Sequence, residues 1–448
     1  MIQYTHTGAA GNGHYPEAQL TRGSTALILP RIAGTTIRRT DMDMRPFGAT
    51  LASFWRENRL AVLVGFAGIV LSLYLHLQVW SSPLTESPEN WNARMNAHLT
   101  WHPFEIRYFQ TYATIALAKL TGFSLKTAFY SIQYALAFVL SLLFFRFLRR
   151  LEFTRGWSTV GVALLVTSLP VVGAHFEPIH TWDDFWVYIF TLLTIWSVLD
   201  RRWPLAAFWF TLGCFAREQT LFFFPILLLA AWWDRRTVSR STQILCLVTP
   251  IVIYGGFYAL VYEPPGPDRW RYYHYSLENA ARIADSVTSL INGFGFMWVA
   301  AVVGGVTFSA RTRSRTENLL LWGAILSVPW TTFFAIFFTL VRETRILFPP
   351  FLFVVPLALI ALKEILGGLK QGESQRYHIG FLAITVALAV LFGFAANWFW
   401  PKMDYIPSAE YRRLWAGVQI GLSVAFMIGL VHARWGNRRL VQNKAAPV

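Results

Sequence analysis

Four groups of polar residues interrupt a chain that is otherwise apolar. The first reads Thr85-Glu86-Ser87-Pro88-Glu89-Asn90, followed by Arg94, His98, His102, Glu105 and Arg107. Carboxylates just beyond an apolar run can take a proton from an acceptor hydroxyl, or hold a divalent cation beside a phosphate. An ordinary solvated loop would carry the same residues. His98 and His102 are spaced i, i+4, but Pro103 follows and no His-Glu-x-x-His pattern is present, which argues against a zinc protease site.

The second group, His175 to Asp184, ends in the pair Asp183-Asp184 at an expected helix start. Capping and the helix dipole account for such a pair. The alternative is a carboxylate set beside a metal or a sugar. The third group is Arg217-Glu218, set between two short apolar runs. Charges at membrane depth are costly. The two neighbours either pair with each other, or Arg217 holds a lipid phosphate and Glu218 orients it or binds substrate. The fourth is Arg342-Glu343-Thr344-Arg345, ahead of Ile346-Leu347-Phe348-Pro349-Pro350. It is either a helix-end ion pair or an anion site.

The elements that must position these residues are membrane helices. The 448 residues are 55% hydrophobic and only 14% charged, whereas a soluble domain carries about 25% charged residues. Apolar runs fall at about 59–79, 126–146, 158–175, 183–199, 204–216, 219–233, 242–262, 289–309, 318–340, 346–363, 378–397 and 414–432. The expected fold is therefore an all-α, polytopic transmembrane bundle of about twelve spans (roughly ten to thirteen) in a lipid bilayer. The fifth and sixth runs are short enough to form one re-entrant hairpin. Residues 107–121 read as an amphipathic juxtamembrane helix lying on the membrane surface.

Charge sets the expected orientation. The formal net charge is +15, concentrated in Arg146 to Arg150, Arg201-Arg202, Arg235-Arg236, Arg311 to Arg315, Lys363 with Lys370, and Arg434 with Arg438-Arg439. With twelve spans all these clusters share the side of the N-terminus, which the positive-inside rule makes cytoplasmic. The four polar groups then face the other side, where Arg342 and Arg345 run against the trend. No basic stripe with interleaved aromatics stands clear of the spans, so nucleic acid is not an expected partner. Cys214 and Cys246 lie in apolar runs, which argues against a disulfide framework or a zinc site. Residues 1–55 read as a flexible cytoplasmic tail without a cleavable signal peptide. Residues 56–434 read as one membrane domain and 435–448 as a second cytoplasmic tail. No phosphate-cradling glycine loop, dinucleotide fingerprint or Gly-x-Ser-x-Gly elbow is present. A sugar transferred on the outer face would then need a donor that carries no nucleotide.

The order and sidedness of these features resemble the C-type integral membrane glycosyltransferases, across most of residues 55–365. The matching features are an acidic residue after the first span and the run Pro103-Phe104-Glu105-Ile106-Arg107-Tyr108 leading to Leu120-Thr121-Gly122-Phe123-Ser124. A span closed by Arg149-Arg150 comes next, then the Asp183-Asp184 helix start, the Ala216-Arg217-Glu218-Gln219-Thr220 turn and the Arg345 to Pro349 run. The first of these segments is similar to bacterial members. The resemblance implies an inverting transfer from a polyprenyl-phosphate-linked sugar donor to a lipid-linked or cell-envelope glycan acceptor, at the extracytoplasmic face of a bacterial cytoplasmic membrane. It implies Glu89 or, second, Glu86 as the catalytic base, and Arg217, Arg342 and Arg345 as the holders of donor phosphate. Asp183, Asp184, Glu218, Arg94 and His102 would lie near substrate. A divalent cation, magnesium or manganese, would be held by Glu89 and Asp183. A multi-pass transporter or lipid flippase is the competing expectation, since spans alone fit both; a non-catalytic scaffold is the third.

Overall fold

The computed structural model describes residues 47–78, 87–100, 107–173, 183–261, 271–309, 314–338, 344–372, 375–400 and 409–445. Contacts divide the chain into Met1–Ser53 and Phe54–Val448. Of the first unit only the opening turns of the first helix are described. All the packing and ionic contacts below belong to the second unit.

Among the described residues every regular element is helical, as expected of an all-α bundle. In chain order they are α1 Phe47–Gln78, α2 Pro88–Thr100, α3 Tyr108–Thr121, α4 Leu125–Arg150, α5 Arg155–Val166, α6 Leu169–Gly173, α7 Asp184–Leu199 and α8 Trp203–Ala216. A 3₁₀ turn, Glu218–Phe223, leads into α9 Phe224–Asp234, then α10 Arg240–Val261, α11 Arg271–Ala281, α12 Ile283–Phe294, α13 Met297–Ser309 and α14 Arg315–Phe338. A second 3₁₀ turn, Thr344–Leu347, precedes α15 Phe351–Gly372, α16 Gln375–Phe399 and α17 Ala409–Ala445.

Six stretches are long and apolar enough to cross a membrane: Glu57–Leu75, Leu125–Arg150, Arg240–Val261, Arg315–Phe337, Gly380–Phe399 and Tyr411–Ala433. The bent pair α12–α13 makes a seventh if it is one span. The apolar helices α7 and α8 are shorter, and the run at 219–233 divides into the 3₁₀ turn and α9. The structure thus supports a multi-helix membrane bundle, with six or seven full-length spans among the described residues. α17 also continues to Ala445, past the expected span end near 432.

Two helices occupy the centre. From Phe351 to Leu359 every residue of α15 is buried, and α7 is nearly as enclosed. A helix apolar on all sides belongs inside a bundle. α13 packs along α15, α8 along α7, and α17 along α16. The last pair meets through Gly417 and Gly421, where an added Cβ would come within 2.3 Å of the Phe392 carbonyl and 2.4 Å of the Leu388 carbonyl. Small residues one turn apart allow this backbone approach, a recurring membrane-helix contact.

The outer surface carries large apolar side chains, such as Phe66 on α1 and Leu382, Leu391 and Phe394 on α16. In water such coverage would be an aggregation liability; it suits lipid. Two shorter helices point their polar sides inward. α3 buries Gln110, Thr111 and Thr114 while Tyr112 and Leu120 face out. α12 buries Asp285, Thr288, Ser289 and Asn292 and exposes Ile283 and Val287. Residues 108–121 are thus a two-faced helix, with the polar stripe turned to the bundle.

Candidate functional site

α7 has an ionic cluster at each end. Its last carbonyls, on Val198 and Leu199, accept bonds from Arg315, at 2.9 and 3.2 Å. Arg315 also grips the buried Asp234 carboxylate, with Nε donating at 2.7 Å. Trp203 Nε1 donates to the same carboxylate at 3.3 Å, Arg201 lies 3.5 Å from it, and Arg150 pairs with Asp200 at 2.8 Å. The basic clusters after α4, after α7 and before α14 thus gather at one end of the bundle. Fifteen residue steps of helix separate that end from Asp184, about 23 Å at 1.5 Å per residue.

At the other end, α7 opens with Asp183-Asp184. Asp183 is the N-cap residue, yet its side chain makes no capping bond. Instead Oδ1 accepts the backbone N–H of Gln110 at 3.3 Å, and Oδ2 lies 3.6 Å from His98 Nε2. The other imidazole nitrogen, Nδ1, is 2.5 Å from the Thr111 hydroxyl. His98 reaches this point because it shares a face of α2 with Trp91 and Met95, which pack against Phe129 and Tyr130 of α4. Trp186 completes the layer by donating to Gln110 Oε1 at 3.0 Å.

Asp184 faces two arginines. Arg217 Nη1 donates to Oδ1, and Arg345 Nη1 lies 3.6 Å from Oδ2. Both guanidinium-bearing residues are 6% exposed, and Asp184 is 2% exposed. The backbone explains the approach of Arg217. It ends α8 in an extended conformation, φ −165° and ψ 138°, before the 3₁₀ turn begins. That break turns Arg217 and Glu218 apart, so the neighbours do not pair with each other. Glu218 instead receives a bidentate grip from Arg107, Nε to Oε2 at 3.3 Å and Nη2 to Oε1 at 2.5 Å. Arg345 sits in the second 3₁₀ turn, where its carbonyl accepts from the Tyr188 hydroxyl at 3.2 Å. Tyr188, Phe348, Phe351 and Phe294 form an aromatic floor, with ring centroids 5.1–5.4 Å apart along the chain of contacts Tyr188–Phe348, Phe348–Phe351 and Phe294–Phe348.

The electrostatics are uneven within a formally balanced set. Burial favours loss of charge at Arg107, but Glu218, Asp183 and Asp184 outweigh it and hold its pKa above the ordinary value. At Arg217 burial, with the neighbouring Arg107, prevails over Asp184, so its pKa is lowered. Burial would raise the Glu218 pKa, yet Arg107 and Arg217 keep it below the usual carboxylate range. Glu218 is walled by protein while 41% of its side chain stays exposed, which places this carboxylate at the opening of the cluster. Asp184 is one carboxylate serving two arginines. Arg217 Nε has no hydrogen-bond partner among the described residues. An incoming anion would find this Nε as a donor.

The structure thus brings Asp183, Asp184, Arg217, Glu218 and Arg345 together. Glu89 is exposed in the first turn of α2. Its own backbone N–H and then the Ser87 hydroxyl lower its pKa. Ser87, Pro88 and Glu89 make a favourable helix start, with Ser87 Oγ accepting from Asn90 N–H at 3.4 Å. Glu86, His102 and Arg342 lie outside the described residues, and Arg94 is described only as backbone in α2. Sequence reasoning names His98 and Arg107 within the first polar group without giving them a role at the site, and nothing in the sequence singles out Gln110.

For a cation the donor set fits poorly. Both Asp183 oxygens already face donors, Asp184 faces guanidinium groups, and no cluster of three His, Cys, Asp or Glu occurs among the described residues. The cluster as described suits an anion better than a divalent metal. No family profile, curated protein or solved structure matches the chain.

Proposed function

We propose that this chain is a membrane glycosyltransferase that moves a sugar from a polyprenyl-phosphate donor to a lipid-linked or cell-envelope glycan acceptor. In this reading the bundle has about twelve spans, the Arg315–Asp234 end is cytoplasmic, and the Arg217–Arg345 end faces outward. The observation that carries it is the convergence of buried Arg217 and Arg345 on the single carboxylate of Asp184. Glycosyl transfer from such a donor develops negative charge on the departing phosphate, and fixed guanidinium groups in a dry site stabilise that charge. Glu86 or Glu89 would take the acceptor proton as the hydroxyl attacks the anomeric carbon. Glu218, at the opening, would orient Arg107 or bind a sugar hydroxyl.

The test is transfer of labelled sugar from polyprenyl-phosphate donors by the full chain in proteoliposomes. Arg217→Gln and Arg345→Gln should each lower the rate about 100-fold or more, the loss of one charge-assisted contact to the phosphate being about 1.5–3 kcal/mol before transition-state effects. Full transfer by both Glu86→Gln and Glu89→Gln would remove them as the base. A specific feature favours the rival transporter or flippase: the 59° bend between α12 and α13, since broken helices line substrate paths in transporters. Substrate movement into liposomes without sugar transfer would decide for the rival.

A further inference from the structure

A further feature lies on α17, and it does not depend on the proposed transfer reaction. Arg413 is 8% exposed, and its Nε has no hydrogen-bond partner among the described residues. A buried donor without an acceptor is costly, so such a group normally marks a missing partner. The neighbouring polar atoms do not supply one. Asn292 of α12 donates Nδ2 to the Arg412 carbonyl at 3.1 Å and leaves its own Oδ1 without a partner among the described residues.

An apolar groove of about 740 Å³ runs between the α12–α13 bend and α17. That volume is within the usual range for a ligand site. Ile291 and Trp298 form one wall, and Ile420, Val424, Met427 and Val431 form the other. The bend itself is held open by Gly295, whose φ of +56° favours glycine and where an added Cβ would strike Gln419 at 2.0 Å. Gln419 Oε1 accepts the Phe296 N–H at 3.0 Å, which fixes the groove floor.

The spacing along α17 joins the two features. Positions 413, 420, 424, 427 and 431 fall on one face at 3.6 residues per turn. Ile420 to Val431 covers about 16 Å of rise, close to half of a hydrocarbon core of about 30 Å. Arg413 stands two turns beyond Ile420, about 10 Å. This is the layout of one phospholipid in one leaflet, with its chain in the groove and its phosphate at the guanidinium.

We infer that Arg413 and the α12–α13/α17 groove form a site for an anionic phospholipid of the surrounding bilayer. The test is native mass spectrometry of the full chain in detergent with equal concentrations of phosphatidylglycerol and phosphatidylcholine. The wild type should retain one phosphatidylglycerol at least tenfold more strongly than phosphatidylcholine. Arg413→Gln should abolish that preference, Arg413→Lys should keep most of it, and Val424→Trp should weaken retention of both lipids by filling the groove. Equal retention by the wild type, an undiminished preference in Arg413→Gln, or full retention by Val424→Trp would each overturn the inference. The thermal transition of each variant shows whether it is folded, and Arg413→Lys and Val424→Trp carry the test if Arg413→Gln is not.

Discussion

Asp184→Asn keeps the shape of the side chain and removes a charge that faces both Arg217 and Arg345. Two unit charges about 4 Å apart attract by about 4 kcal/mol at an effective dielectric of 20. Asp184 has two such partners, and all three groups are buried. The gross loss is therefore about 8 kcal/mol, partly offset because an amide is cheaper to bury than a carboxylate. Measured costs of removing one member of a buried pair are about 3–5 kcal/mol, and the expected destabilisation lies there. Unfolding of the reconstituted chain by sodium dodecyl sulfate reads it directly. Adding Arg217→Gln to Asp184→Asn should recover part of the loss, because one of the guanidinium groups that faced the lost charge then disappears; the double-mutant cycle isolates that coupling. A cost below about 1 kcal/mol, or strictly additive effects, would show that the arginines do not depend on Asp184.

Glu218→Gln should cost stability above pH 4.5, where the wild-type carboxylate is ionised in both folded and unfolded chains. The difference should shrink as pH falls through the lowered folded-state pKa, because the stabilisation of a depressed carboxyl is lost on protonation. A difference that grows towards acid pH would reverse the sign. Asp234→Ala should loosen the other end of the bundle by about 3–5 kcal/mol, since Arg315 loses its carboxylate and the Trp203 indole loses its acceptor; unchanged unfolding would count against a fastening role. Gly417→Leu should disrupt the α16–α17 crossing and lower thermal stability more than Gly380→Leu, because a Cβ at 417 meets backbone while one at 380 meets nothing within 4 Å.

Much of the fold is legible in the chain, and the reasons for the remainder are physical. Apolar runs announce helices, and each of the twelve runs contains helix in the structure. Their number as spans is less accessible, because α7 and α8 are apolar helices shorter than a bilayer is thick, and composition does not separate such helices from full-length spans. The periodicity of residues 107–121 marks two faces but not which one turns inward. In the structure the polar face turns inward, with Gln110, Thr111 and Thr114 buried. The charged pairs are visible as costly residues, yet their partners are not. Adjacency suggests Arg217 with Glu218, whereas an extended residue at the end of α8 sends them to Asp184 and to Arg107, 33 and 111 positions away. His98 stands out by its spacing to His102; its role at Asp183 arises from packing of α2 on α4, which spacing does not encode.

If the chain transfers sugars, the Arg217–Arg345 end of the bundle receives the phosphate of the lipid-linked donor. The most direct measurement is binding of polyprenyl phosphate to the purified full chain in nanodiscs, for the wild type, Arg217→Gln and Arg345→Gln. Each charge-assisted contact to phosphate is worth about 1.5–3 kcal/mol, and about 1.4 kcal/mol is tenfold in affinity. Each variant should weaken binding by about 10- to 100-fold while its unfolding transition remains cooperative. Equal affinity in all three proteins would contradict a phosphate site at these arginines.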